Sequence, residues 1–332
     1  MKVGGCWLMG IETKEVFDKF FEAMPDNKVK KIRSQIDRQE VYNYEVKLGK
    51  SIFDMNCDEL FDMIMTFGNN RAKTPDSFVI SYATYTQIIS MYRAVWNYYI
   101  DTVKPIKNPW NNKNMKGIEA EKRISKFKKA VSINDILKTI KGLTKKPPED
   151  IKYIECMVLL LYNGVPTPMD IVKLSESDIN YRTKEITFFG GTVKLSDKCF
   201  ELLQDVHNMI SDSKKYIYVS YQGSYVTFKI LKGKADTFQD KPIEMVSKII
   251  SKKIDTWLRS ECGLDVGCRS IYLLGFYDYM VSQIGKEETN KIICSYRDVE
   301  TTDQLIRYAR GWGINYGNNI TTLRRSLRQF AL

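Results

Sequence analysis

The residues best placed to do chemistry in this chain are its cations, and they are clustered. Between Lys104 and Ala130 there are nine Lys/Arg against Glu119 and Glu121, a balance of +7 in 27 residues. From Gln304 to the end stand five arginines and no acid. Clustered positive charge of this kind suits a polyanion, and nucleic acid above all. A second group lies on one side of the segment from about Tyr82 to Val103. Thr86, Ser90, Arg93 and Asn97 share that side, with Gln87 beside them, and no acid occurs between Ser77 and Ile100. Hydroxyls, an amide and a guanidinium on an acid-free helix face can hydrogen-bond phosphates and base edges. Other chemistries have little to work with. There is one histidine, His207, so a mechanism that needs two fails by counting. The seven cysteines fall at irregular spacings with no Cys-x-x-Cys pair, which argues for reduced thiols and against a disulfide framework or zinc site. No cofactor and no metal are expected.

The elements that must hold these groups can be read from periodicity. The 332 residues, net charge +11 and 43% apolar content fit a globular protein of two domains. The longest apolar run, around "CMVLLLY", is far short of the roughly 20 residues needed to span a bilayer. The opening "MKVGGCWLMGIE" is too short for a signal peptide, and either Met1 or Met9 could be the start. Residues from about 12 to 103 read as helical. In the segment from Tyr82, the residues Tyr85, Ile88, Ile89, Tyr92, Val95, Trp96 and Tyr99 recur at helical spacing and make a buried stripe. The stretch "KPIKNPWNNKNMKGIEAEKRISKFKKA" reads as a basic interdomain linker over 104–130, partly extended, able to lie along a phosphate backbone. Its Lys104, Lys107, Lys113, Lys116, Lys126, Lys128 and Lys129 are candidate phosphate contacts.

The second half restarts at "SINDIL", where Ser132 and Asp135 form a capping box. The segment "EDIKYIECMVLLLYNG" reads as a buried helix. Thr167, Pro168 and Asp170 then make a helix start, with Thr167 as the cap and Pro168 at the first helical position. "DINYRTKEITFFGGTVKLS" predicts three short strands, and "KYIYVSYQGSYVTFKILKG" a pair hinged near Gly223. Helices follow at about Ile243–Cys262, Arg269–Ile284, Lys286–Tyr296, Thr302–Arg310 and from Thr321. The fold class is mainly α with a small β-sheet (α+β).

Several of these phrases resemble the tyrosine recombinases, the phage integrase family. "SYATYTQIISMYRAVWNYYI" is similar to a helix of that family's core-binding domain, and "KPIKNP" to the exit from it. "DIVKLSESDINYRTKEITF" resembles the first part of the catalytic domain. "RSIYLLGFYDYMVSQIG" resembles the helix carrying the second active-site arginine. The resemblance spans roughly residues 30 to 332. It implies a helical core-binding (SAM-like) domain at 1–103 and an integrase-like catalytic-fold domain at 131–332. Within the family, the chain resembles the integrase-like master repressors of lysogeny in SPbeta-type Bacillus prophages.

In that family a tyrosine attacks a phosphodiester while two arginines, a lysine and histidines assist. Carried over residue by residue, the set is largely missing here. The first arginine's place falls at Thr167 or Pro166. Arg269 in "VGCR" matches the second arginine, and Val266 stands for the histidine before it. Ser295 replaces the second histidine. Lys194 is a remnant candidate for the lysine, set past the turn that usually presents it. The nucleophile's place falls near Leu305, with Tyr308 one turn later and Tyr316 a weaker choice. The resemblance therefore implies a non-enzymatic, sequence-specific binder of double-stranded operator DNA, cytoplasmic and nucleoid-associated: a repressor that maintains lysogeny. The contacts would come from Tyr85, Thr86, Gln87, Ser90, Arg93, the linker lysines, Lys194, Arg269, Arg297, Arg324 and Arg325. The C-terminal segment "ITTLRRSLRQFAL" could dock on a second copy, dock in cis or touch DNA, and a protein antagonist is a further partner to expect. Two alternatives stand beside this: a divergent active recombinase using Tyr308, Arg269 and Lys194, and a helical module that binds an acidic protein.

Overall fold

The computed structural model describes residues 4–24, 38–71, 82–125, 131–143, 146–188, 191–210, 215–264, 266–295, 298–314 and 319–331, the side chains at 4–12, 38, 68–71, 83 and 125 excepted. The chain forms two compact units, Met1–Lys129 and Ala130–Leu332.

The first unit is helical, as its periodicity predicts. Its helices are α1 (Gly4–Glu22), α2 (Arg38–Leu48), α3 (Cys57–Arg71), α4 (Tyr82–Thr102) and α5 (Gly117–Ser125). The stripe read from α4 is its core: Tyr85, Ile89, Tyr92, Val95, Trp96 and Tyr99 are all buried, and Ile88 packs partly buried beside them. Leu60, Phe61, Ile64 and Met65 of α3 close over the same cluster.

Residues 104–125 correct the expected linker. They belong to the first unit and fold back on it through two 3-10 turns, Pro109–Asn111 and Lys113–Met115, and then α5. Trp110 is the reason. Its indole has no exposed surface, stacks on Tyr92 at 5.4 Å and meets Trp96 edge-on at 5.3 Å. Burying so large an aromatic outweighs the polar, asparagine-rich composition around it. The asparagines themselves build the turns. The Asn108 side chain accepts from the Trp110 N–H, and Asn112 from the Asn114 N–H. Asn108 also donates to Asn97 Oδ1 at 2.7 Å, tying the segment to α4. Asn108→Ala is expected to cost about 1–2 kcal/mol by loss of a cap and a tie, read as a shift in the urea midpoint at unchanged slope.

The second unit contains α6 (Ile133–Lys141), α7 (Pro148–Tyr162), α8 (Pro168–Lys173), α9 (Asp197–His207), α10 (Ala235–Gln239), α11 (Ile243–Thr256), α12 (Cys268–Ile284), α13 (Lys286–Cys294), α14 (Val299–Gly311) and α15 (Ile320–Ala331). Between α8 and α9 lies an antiparallel sheet in the order β1 (Ile179–Asn180), β2 (Glu185–Phe188), β3 (Gly191–Lys194). Its register pairs Ile186 with Val193 on the buried side. A separate hairpin, β4 (Tyr216–Ser220) and β5 (Thr227–Leu231), turns at Gly223, whose φ of 79° suits glycine. The predicted strands, capping box and helix order are all present. The helix expected to end at Cys262 is regular only to Thr256 and continues as a five-residue π turn, Trp257–Glu261. The chain is thus mainly helical with two small sheets. No helix of the described residues is long and apolar enough to cross a membrane.

Helix α7 is the centre of this unit. Nine consecutive residues from Tyr153 to Leu161 are buried, including Glu155, whose carboxylate pairs with Lys141 and Lys198. Helix α12 crosses it so closely that a Cβ on Gly275 would lie 1.9 Å from the Tyr162 carbonyl oxygen.

Candidate nucleic-acid interface

In the first unit, the refolded segment carries the expected lysines on a fixed backbone. Lys104, Lys107, Lys113 and Lys116 are all exposed, and none is in an ion pair among the described residues. By contrast Lys122 pairs with Glu119, and Arg123 pairs with Asp58 while lying 3.8 Å over the Phe61 ring. Four ammonium groups with no ion pair among the described residues, on a segment anchored by Trp110, concentrate positive charge of the kind that can meet phosphates. Lys126, Lys128 and Lys129 lie outside the described residues.

On α4, Gln87 and Ser90 are exposed and Thr86 is partly so. Two neighbours assigned to the same face are otherwise engaged. Tyr85 is fully buried, with its hydroxyl on the Met115 carbonyl at 3.3 Å, so its place in the stripe excludes it as a contact residue. Arg93 is half-buried and donates to the Trp110 carbonyl at 3.2 Å. It holds the lysine-bearing segment in place instead of standing out from the helix.

In the second unit, Arg269 is exposed on the first turn of α12 and lines a cleft of about 990 Å³. Thr167 and Pro166 line the same cleft. The two sequence positions compared with the family's arginines therefore come together, one cationic and the other not. The Thr167 hydroxyl donates to Asp170 Oδ2 at 2.5 Å and accepts from the Asp170 N–H at 3.3 Å. It is occupied as a helix cap, as the residue pattern predicts.

A second guanidinium lines the cleft, that of Arg259 in the π turn. Sequence reasoning missed it, because a π turn extending α11 leaves no mark in hydrophobic period. Asp255 lies close by: a Cβ at Gly267, the cap of α12, would meet its Oδ1 at 3.0 Å. The cleft also holds Cys268 and Tyr272. Burial, aided by Asp255, pushes the Cys268 thiol up to about 11, so it is not a ready nucleophile. Burial likewise raises the Tyr272 hydroxyl, with Asp170 adding to the effect.

The other sites fall elsewhere. Lys194 is exposed on β3. Leu305, at the place compared with the nucleophile, is fully buried. Tyr308 is half-buried on α14 against the cluster formed by α12, α13 and α15, and does not line the cleft. His207 ends α9, stacked on Tyr225 at 4.0 Å with Nδ1 2.8 Å from the Tyr225 carbonyl, which is a structural placement. Tyr316 and Arg297 lie outside the described residues.

The C-terminal helix docks in cis. Leu323 and Leu327 are buried among residues of α12, α13 and α14, and Phe330 packs on Tyr277 at 5.8 Å. Arg324 is buried and donates to the Ser295 carbonyl at 3.1 Å and to Thr302 Oγ1 at 2.9 Å. That corrects its assignment as a DNA contact: the guanidinium satisfies the end of α13 and the start of α14. Arg328 is buried too, with Nε 3.5 Å from the Ile293 carbonyl. Arg325 alone of the three is exposed.

No family model matches the sequence, and no curated protein matches it. Among solved structures, XerA recombinase is 11% identical, covering 94% of this chain and 97% of the other at a TM-score of 0.31. An integrase from mycobacterium phage Brujita is 12% identical, covering 95% and 97% at 0.34. A lambda integrase (75-356) dimer bound to a COC' core site is 12% identical, covering 94% and 94% at 0.32.

Proposed function

We propose that this protein is a sequence-specific double-stranded DNA-binding regulator with the architecture of a tyrosine recombinase, and that it binds without cutting. The observation that carries the reading is the anchored lysine array: Lys104, Lys107, Lys113 and Lys116 stand exposed, and α4 of the same unit, which has no acid from Tyr82 to Ile100, exposes Gln87 and Ser90 and partly exposes Thr86. Phosphate contacts from the lysines would fix register, and the α4 side chains would read base edges. Arg269 and Arg325 are further backbone contacts, with Lys194 a lesser candidate.

Cleavage needs concentrated positive charge at one phosphate and a nucleophile beside it. Support for an inactive site comes from four positions. Thr167 is tied to Asp170 where an arginine would be needed, Val266 and Ser295 replace histidines, and the place of the nucleophile is the buried Leu305. A prophage repressor that maintains lysogeny is the specific role most consistent with binding retained and chemistry lost, in keeping with the sequence resemblance.

A map of protein occupancy on its own genome tests the role. Several sites sharing one short sequence near promoters are expected. A single paired, inverted site at a prophage junction would instead identify an integration or excision enzyme and overturn the repressor reading.

A further inference from the structure

Helix α11 is buried on one side only. Val246, Ile250 and Ile254 enter the core, while Met245 and Ile249 stand 48% and 46% exposed on the opposite side. Four residues separate them, so they lie one above the other on a single row. Exposed large apolar residues scattered singly need no explanation, but a stacked pair is a small patch. The row continues through Lys252 to Thr256, and Lys248 lies beside it. Both lysines are exposed and neither is in an ion pair among the described residues. Two acids share the helix: Glu244 at the first turn, where a carboxylate suits the helix dipole, and Asp255 near its end, which lines the cleft beside Gly267. Beyond the helix, Arg259 lines the cleft with Asp255 close by.

We infer that this outer face of α11 docks an acidic amphipathic helix of a partner protein. Such a helix carries both features the surface asks for, an apolar row for Met245 and Ile249 and carboxylates for Lys248 and Lys252. A DNA backbone would satisfy the lysines and leave the two apolar side chains against phosphate. A lipid surface would need the helix to sink its apolar face, and the larger apolar face of α11 is already in the core. The inference does not depend on the DNA-binding reading, since none of these four residues is assigned to it.

The test uses the full chain and a designed peptide helix with a row of leucines flanked by glutamates. Binding is followed through the methyl resonances of Met245 and Ile249 and by fluorescence anisotropy. The acidic peptide is expected to move both methyl signals. Its affinity should fall roughly tenfold or more in Ile249→Asp, and again in Lys248→Glu/Lys252→Glu. Both variants should keep the parent melting temperature, because the substituted side chains are exposed. Equal binding of a peptide with lysines in place of the glutamates would overturn the proposal. So would displacement of the two methyl signals by a DNA duplex or by phosphatidylglycerol vesicles instead, or no displacement by any of the probes.

Discussion

Replacing Lys104, Lys107, Lys113 and Lys116 together by alanine is expected to flatten the salt dependence of DNA binding. Each lysine that neutralises a phosphate releases counterions, worth about 0.9 in the slope of log K against log salt. Without the four ammonium groups the slope should fall by roughly 3 to 4, and by about 0.9 for each single substitution. Affinity should fall for all duplexes alike, because phosphate contacts carry no sequence information. Titrations of an operator and an unrelated duplex at several salt concentrations measure this. The folding midpoint is the control. Exposed lysines without ion pairs should change stability by no more than about 0.5 kcal/mol. An unchanged slope in the quadruple variant would remove the lysine array from the interface. Gln87→Ala and Ser90→Ala are the complement, lowering affinity for the operator and leaving the unrelated duplex as it was.

Gly275→Ala is expected to be the most damaging single methyl group that can be added to the second unit. The new carbon would lie 1.9 Å from the Tyr162 carbonyl oxygen and 2.8 Å from its carbon. Those are backbone atoms near the end of α7, so no side-chain rotation relieves the clash and the two helices must separate. Overpacking a core usually costs about 1–3 kcal/mol, and a backbone-to-backbone collision puts this site at about 3 kcal/mol or more. Tyr162 adds to the damage, since its hydroxyl bonds to Asp278 at 2.8 Å across the same crossing. Urea unfolding of the second unit measures the effect. A change under about 1 kcal/mol would mean that α7 and α12 are not so closely crossed.

Much of this fold was legible in the sequence because its signals are local. The buried stripe of α4 follows from spacing alone, and Thr167–Pro168–Asp170 declares a helix start by type and order. The capping box of Ser132 and Asp135 forms both of its hydrogen bonds. Glycines and strand periodicity placed both hairpins. What composition concealed was long-range. The segment 104–125 is polar and basic enough to pass for a linker, yet one tryptophan fixes it against α4. The signal was present in "NPWNN": asparagines two residues ahead of turn amides, with proline at the first turn position. Arg324 and Arg328 misled for the reverse reason. Charge near a C-terminus reads as surface, but these side chains satisfy carbonyls at the end of α13, which only the docking of α15 brings near. Arg259 belongs to the cleft through a π turn that no periodicity marks.

The candidate interface is narrower than the sequence suggested. Tyr85, Arg93 and Arg324 leave it as side chains that hold the fold together. Thr86, Gln87, Ser90 and the four lysines remain candidates on one unit, and Arg269, Arg325 and Lys194 on the other.

The central claim is binding without cleavage, and one measurement meets it directly. A bound operator duplex carrying a nick beside the centre of the site would trap any phosphotyrosyl product by releasing the broken strand. After incubation the sample is run under native and denaturing conditions in parallel. A retarded native complex with no protein-linked strand on the denaturing gel is the expected result. A covalent adduct that forms with the parent protein and vanishes in Tyr308→Phe would contradict the account and identify a working recombinase.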